Sequence, residues 1–165
     1  MYKKLKSFLI IMMLLVVSAA FTACGNGGAS SKEKAVEAFY QAACNDEIEQ
    51  YMACMFPKSI VDQWIENASM TEEEFYELQS EFMRYSADAG LHENVEIVED
   101  EALDDSEIDT LESDIYSITS GRVDISEAYD SIRIEYTDEN GNIDTEYIGY
   151  FYKIGGTWYV LPKLL

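Results

Sequence analysis

The sequence predicts an α+β domain in which N-terminal helices pack on one face of a C-terminal antiparallel meander sheet. Three observations predict it. Between residues 32 and 119 apolar side chains recur at helical spacing, whereas from Arg122 onward the period changes to two. The two-period region is interrupted by Asn140-Gly141 and by Gly155-Gly156, the dipeptides that most strongly mark short hairpins. Helices first and a meander last is the α+β order, with the helices collected on one side of the sheet.

The chain opens with Lys3, Lys4 and Lys6, continues with an unbroken apolar run from Phe8 to Val17, and reaches the small residues Ser18, Ala19 and Ala20. That is the build of an export signal. A helical crossing needs ~20 mostly apolar residues, so this shorter run predicts a cleaved segment rather than a retained span. Phe21-Thr22-Ala23-Cys24 follows, and then Gly25-Asn26-Gly27-Gly28-Ala29-Ser30-Ser31. The tetrapeptide resembles a bacterial lipobox, whose pattern is Leu, a small residue, Gly or Ala, and Cys. Thr22, Ala23 and Cys24 match, and Phe21 departs from the pattern while keeping an apolar side chain. The resemblance implies that Cys24 receives a diacylglyceryl group and becomes the mature N-terminus on the outer face of the cytoplasmic membrane. Two acyl chains, at ~0.8 kcal/mol per buried methylene, hold where one is marginal. The competing reading is a secreted or uncleaved protein in which Cys24 is incidental. The expected organisation is a signal over residues 1–23, a flexible tether over 24–31 with a root-mean-square reach of ~15 Å, and one domain over 32–165.

The chain carries 11 Lys+Arg against 32 Asp+Glu, a net charge of −21. Loss of the three lysines with the signal leaves 8 against 32, or −24. Such a charge excludes nucleic acid as a natural partner and keeps the domain off an anionic membrane except through its tether. It is not a sign of disorder, because 12 Tyr, 7 Phe and 2 Trp supply a core.

Val36, Phe39, Tyr40 and Ala43 predict a helix from Lys32, with Ser30 and Glu33 as a capping box. Asp46 and Glu49 predict a second, carrying Ile48, Tyr51, Met52 and Met55 to its stop at Pro57. Pro57 suits the first turn of a third, with Ile60, Val61, Trp64 and Ile65 on one face. The longest helix runs from Thr71 to Ala89. Thr71 and Glu74 form its capping box, Met70 and Phe75 a hydrophobic staple, and Phe75, Leu78, Phe82 and Tyr85 the expected buried stripe, with Gly90 closing it. Asn94–Val98 is a short strand. Residues 104–119 repeat the helical grammar: Asp104 caps, Glu107 returns the bond, Leu103 staples Ile108, and Ile108, Leu111, Ile115 and Ile118 form the stripe before Gly121.

If Asn140-Gly141 is a two-residue turn, Ile134 lies opposite Tyr147 and Ile132 opposite Gly149. If Gly155-Gly156 is another, Phe151 lies opposite Val160. One face then carries Ile132, Ile134, Tyr136, Tyr147, Phe151, Trp158 and Val160, and is expected to pack on the first helix. The other carries Ile148, Tyr150, Tyr152, Ile154, Tyr159 and Leu161. A solvated face should alternate to polar residues and this one does not, so Tyr150, Tyr152 and Tyr159 are the candidate partner-binding residues, for a homodimer or another envelope protein. The alternatives are that another part of the chain covers them, or that tyrosine is there because it suits strands.

The capped first helix, the short helix after Asn45-Asp46, the Phe56-Pro57 stop and the ending built on Lys153, Gly156, Trp158 and Tyr159 resemble the nuclear-transport-factor-two-like, or cystatin-like cone, lipoproteins of Gram-positive bacteria. The resemblance implies a cone-like domain over roughly residues 32–165; the helix over 104–119 is not part of the minimal cone.

No constellation demands chemistry. His92 is the single histidine and is expected in a solvated loop after Gly90. Zinc lacks the ligands it needs, and the nine acids in residues 99–114 lack the glycine of a calcium loop; a solvated, well-capped helix accounts for them. Asp138, Asn140, Asn142 and Asp144 could gather a cation, although a hairpin turn uses the same residues. Cys44 and Cys54 are expected as two buried thiols, since a disulfide needs Cα atoms about 4.4–6.8 Å apart. The expectation is therefore a membrane-anchored binding module, with no catalytic residue, cofactor or metal. The enzyme alternative is analogy with ketosteroid isomerase, a cone-fold enzyme with an Asp base and tyrosine donors in an apolar pocket.

Overall fold

The computed structural model describes residues 27–162 as helices α1 (Lys32–Cys44), α2 (Ile48–Met55), α3 (Lys58–Ala68), α4 (Glu72–Asp88) and α5 (Asp105–Thr119) with strands β1 (Glu93–Ala102), β2 (Glu127–Thr137), β3 (Ile143–Ile148), β4 (Tyr150–Ile154) and β5 (Thr157–Leu161). The fold is α+β, as predicted. All pairings in the five-stranded sheet are antiparallel, in the order β1-β2-β4-β5, with β3 also on β2. Helix α1 packs on α2 and α4 and touches both β1 and β5, the two ends of that order, so the sheet curls around it. Its small residues Ala35, Ala42 and Ala43 let the backbone approach closely, while Val36, Phe39 and Tyr40 fill the buried space.

The helix termini obey their local chemistry. Thr71 with Glu74 and Asp104 with Glu107 form complete capping boxes. At α1 the cap is Ser31, whose hydroxyl accepts from Lys34 N–H, one residue later than expected; at α2 the N-cap position is Glu47, which makes no side-chain cap, because Asp46 is taken up in the preceding turn at φ +60°. Gly121 serves packing rather than a left-handed cap: a Cβ there would lie 2.8 Å from Ile60 Cδ1, and Ser120 takes the αL conformation instead.

Residues 27–31 are not a free tether. Gly28 N–H donates to the Ala53 carbonyl, and Ala29 exchanges two backbone hydrogen bonds with Trp158, both at 2.8 Å, extending the sheet beyond β5. Gly28 is required there: its φ is +70°, and a Cβ would come within 2.7 Å of the Trp158 carbonyl oxygen.

The hairpins divide. Gly155 and Gly156, both at positive φ, make a two-residue turn, and Phe151 faces Val160 as predicted. Asn140-Gly141 does not. The loop holds three residues between Asp138 and Asn142, whose backbones bond at 2.8 Å, with Gly141 at φ +81°. The pairing therefore slips by one residue: Ile132 faces Ile148 and Ile134 faces Glu146. A slip of one turns every side chain of the strand over, so Tyr147 is 67% exposed and Ile148 is buried, the reverse of the expectation. Strand β1 is longer than expected and continues through Ala102 along β2 with three register irregularities.

Helix α4 differs in rotation. Phe75 and Met83 are buried, with Ser86 held by a 2.9 Å hydrogen bond to Tyr51, whereas Leu78, Phe82 and Tyr85 are 50%, 48% and 76% exposed. In α5, Leu111, Ile115 and Thr119 are buried and Ile118 is exposed.

The observed register makes a stability prediction. Ile132→Ala should cost about 2–5 kcal/mol and Trp158→Ala about 3–5 kcal/mol, while Tyr147→Ala should stay within ~0.5 kcal/mol. Denaturant unfolding that ranks Tyr147 with the core residues would restore the two-residue turn.

Candidate functional site

His92 is not a solvated loop residue. Gly90 ends α4 and turns the chain inward, so that the imidazole is 2% exposed and lies between two aromatic rings. Its centroid is 3.6 Å from that of Tyr40 on α1, at 1° between planes, and 3.6 Å from that of Tyr136 on β2, at 12°. In the ring plane Nδ1 is 3.1 Å from the Gly90 carbonyl and Nε2 is 2.7 Å from Glu146 Oε2 on β3. Both partners are acceptors. A neutral imidazole can donate to only one of them; a protonated one donates to both and places its cation between two π faces, against the Glu146 carboxylate. Glu146 opens toward solvent, and a groove of ≈ 380 Å³ beside the stack is lined by Glu37, Gln41, Leu91, His92, Glu93 and Asn94. Glu37 closes that end by accepting from Val95 N–H at 3.2 Å.

The electrostatics follow from burial. Tyr40 is held well above the ordinary phenol range, first by burial and then by the nearby Glu146 carboxylate. Tyr136 is raised by burial and then by Glu146, Asp144 and Asp138. Tyr152 is raised by burial and then by Tyr159. Each of these phenols is favoured in its neutral form by the fold.

The three tyrosines expected to bind a partner do not form an exposed surface. Tyr152 and Tyr159 are buried, stacked at 5.5 Å, and Tyr150 is half-buried. The Tyr152 hydroxyl donates to the Met55 carbonyl, and Tyr159 lies against Gly28 of the N-terminal arm. The chain covers this face with its own α2 and residues 27–29. Trp158, on the opposite face, is overlain by two lysines. Lys153 Nζ lies 4.9 Å from its ring, and Lys32 Nζ lies 5.8 Å from it and 3.8 Å over Tyr129 while pairing with Asp100. Cys24 lies outside the described residues. Among the described residues no disulfide joins Cys44 to Cys54; Cys54 is buried as expected, but Cys44, at the last turn of α1, is exposed.

The acidic stretches are occupied by structure. Glu99 pairs with Arg133 at 3.0 Å, Asp104 and Glu107 cap α5, and Glu112 accepts from Ile125 N–H at 2.7 Å. Asp138 receives Asn140 N–H, Asn142 N–H and the Asn142 side-chain amide, and these hydrogen bonds hold its carboxyl below the usual range.

Sequence reasoning missed the His92 cluster because its members come from α1, the α4–β1 turn, β2 and β3. The only local signal was a histidine between Leu91 and the first residues of a strand.

Two measurements test the cluster. His92→Ala should lower stability by about 2–5 kcal/mol. Glu146→Leu, which strands Nε2, should cost about 1–3 kcal/mol, and Glu146→Gln, which still accepts, less than about 1.5 kcal/mol; losses near zero for both His92→Ala and Glu146→Leu would deny the stack a structural role. Raised tyrosines stabilise the fold fully below the ordinary phenol pKa of 10.0 that they regain on unfolding, and that contribution is lost as pH rises above it, since the unfolded chain then releases protons the folded chain keeps. Absorbance at 295 nm and circular dichroism should thus show a set of tyrosines ionising only as the chain unfolds in alkali. Complete ionisation with an unchanged fold would contradict this. No protein-family model, curated protein or solved structure matches this chain, so its functional reading rests on the residues themselves.

Proposed function

We propose that the chain is an extracytoplasmic lipoprotein, anchored through Cys24, whose domain is a binding module of the cell envelope. The observation that carries this reading is the closeness of the fold to Cys24. Gly28 and Ala29 are already stitched to Ala53 and Trp158, so only the chain from Cys24 to Gly27, at most ~11 Å at about 3.6 Å per residue, separates an acylated Cys24 from the sheet. An anchor that short orients the domain as well as retaining it. Lys32 begins α1 beside Tyr129 and Trp158, whereas Tyr40 reaches Tyr136, seven residues farther along β2, or ~23 Å at about 3.3 Å per residue. The His92 end, together with the end of α4 where the Ala87 carbonyl meets Cys44, then points away from the lipid and toward partners.

The alternative, a cone-fold enzyme of ketosteroid-isomerase type, calls for a carboxylate and phenol donors converging in an apolar pocket. Glu146 stands beside the Tyr40 and Tyr136 phenols, but both rings are stacked on His92, the groove next to them is lined mostly by the polar Glu37, Gln41, Glu93 and Asn94, and the Tyr152 hydroxyl is engaged by Met55. Those contacts favour binding over catalysis.

In cells supplied with a labelled fatty acid, the wild-type chain should take up label and fractionate with membranes, and Cys24→Ser should do neither and appear in the medium. A Cys24→Ser chain that stays with membranes, beside a wild type that takes up no label, would refute the anchor.

A further inference from the structure

The outer side of α4 presents Leu78, Phe82 and Tyr85 at i, i+4 and i+7, half to three-quarters exposed, with Met70 beside them at the α3–α4 turn. They form one stripe of large, exposed apolar side chains, and contiguous exposed apolar patches on a monomer tend to be functional. Next to the stripe runs a ridge of Glu74, Glu77 and Glu81, and together with Met70 and Leu78 this ridge lines a groove of ≈ 640 Å³. The helix carries six acids (Glu72, Glu73, Glu74, Glu77, Glu81, Asp88) against one base, Arg84.

We propose that this surface docks a cationic amphipathic helix, whose apolar side chains cover Leu78, Phe82 and Tyr85 and whose Lys or Arg residues lie along Glu74, Glu77 and Glu81. The inference rests on the binding-module reading and names its site and the chemistry of its partner. Charge complementarity selects the occupant. A second copy of this chain would bring a second acidic ridge against the first, at a net charge of −21 each, whereas a basic helix gains from the same ridge. An amphipathic helix that lays its own apolar face, with anchors at i, i+3 or i+4 and i+7, along a partner's apolar surface is a standard mode of recognition.

The test uses the purified full chain and a synthetic peptide of about 18 residues, five helical turns, with Leu and Phe on one face and Lys and Arg on the other, beside a scrambled peptide of the same composition. Binding is followed by calorimetry, and self-association by sedimentation. The amphipathic peptide should bind with a Kd below about 100 μM and the scrambled one at least about tenfold more weakly. Leu78→Gln/Phe82→Gln/Tyr85→Gln, whose side chains are outside the core, should weaken binding by about tenfold or more. Glu77→Gln/Glu81→Gln should weaken it about three- to tenfold and flatten its dependence on salt. Equal binding of both peptides, insensitivity to the apolar triple variant, no binding, or a dimer that the triple variant abolishes would each overturn the assignment. A lipidated chain that fails these peptide tests loses the α4 site and keeps the anchored-module reading; a chain without lipid at Cys24 loses the anchor whatever the peptides do.

Discussion

The burial of α1 inside the curl of the sheet is the interaction on which the remaining structure depends. A helix that touches both β1 and β5 must be narrow at its contact faces, and Ala35, Ala42 and Ala43 make it so. Its two large residues then set the positions of everything around it: Phe39 packs on Tyr51 of α2 at 4.6 Å, and Tyr40 packs on His92. Through His92 the far end of α1 is joined to β2 and β3, so a single stack ties helix, turn and sheet. Removing the imidazole leaves two tyrosine rings facing a gap in a close-packed interior, and that cost exceeds the loss of any one hydrogen bond.

The charge is distributed so that it does not oppose this core. Acids that look like a potential cation site in the sequence are used one at a time: Asp104 and Glu107 on helix N–H groups, Glu99 on Arg133, Asp100 on Lys32 and Glu112 on the Ile125 backbone. Each of these carboxylates meets a single local demand, and exposed ion pairs among them add little stability. The two lysines over Trp158 act differently. Their stems and cations cover an aromatic face close to Ala29 and the N-terminal arm.

What was legible in the sequence was local chemistry. Capping boxes at Thr71 and Asp104 are recognised by residues three apart, and Gly155-Gly156 has one economical turn type, so all three were correct. Asn140-Gly141 was ambiguous, because glycine at positive φ fits a two-residue turn and also the last position of a three-residue loop. The Asp138 carboxylate, which gathers two backbone N–H groups of the loop, decides for the longer loop. That single residue inverted β3 and moved Tyr147 from core to solvent. The candidate partner face is buried for a nonlocal reason: its cover comes from far earlier in the chain, from α2, whose Met55 precedes Tyr152 by 97 residues, and from residues 27–29.

Helix α4 shows why periodicity alone cannot assign a buried face. Two stripes share Phe75: one continues through Leu78, Phe82 and Tyr85, the other through Met83 and Ser86. The first is the more apolar, yet the second is inside, because Tyr51 on α2 offers Ser86 a hydrogen bond and Met83 is buried in the core, while Trp64 on α3 holds the shared Phe75 edge to face at 5.1 Å. Rotating the helix to bury Leu78 and Phe82 would break the Ser86–Tyr51 hydrogen bond and carry Met83 toward water. The neighbours of α4 therefore fix an orientation that leaves its most apolar side in solvent. The acidic ridge beside that side makes the exposure tolerable, since like-charged copies repel before their apolar stripes can meet.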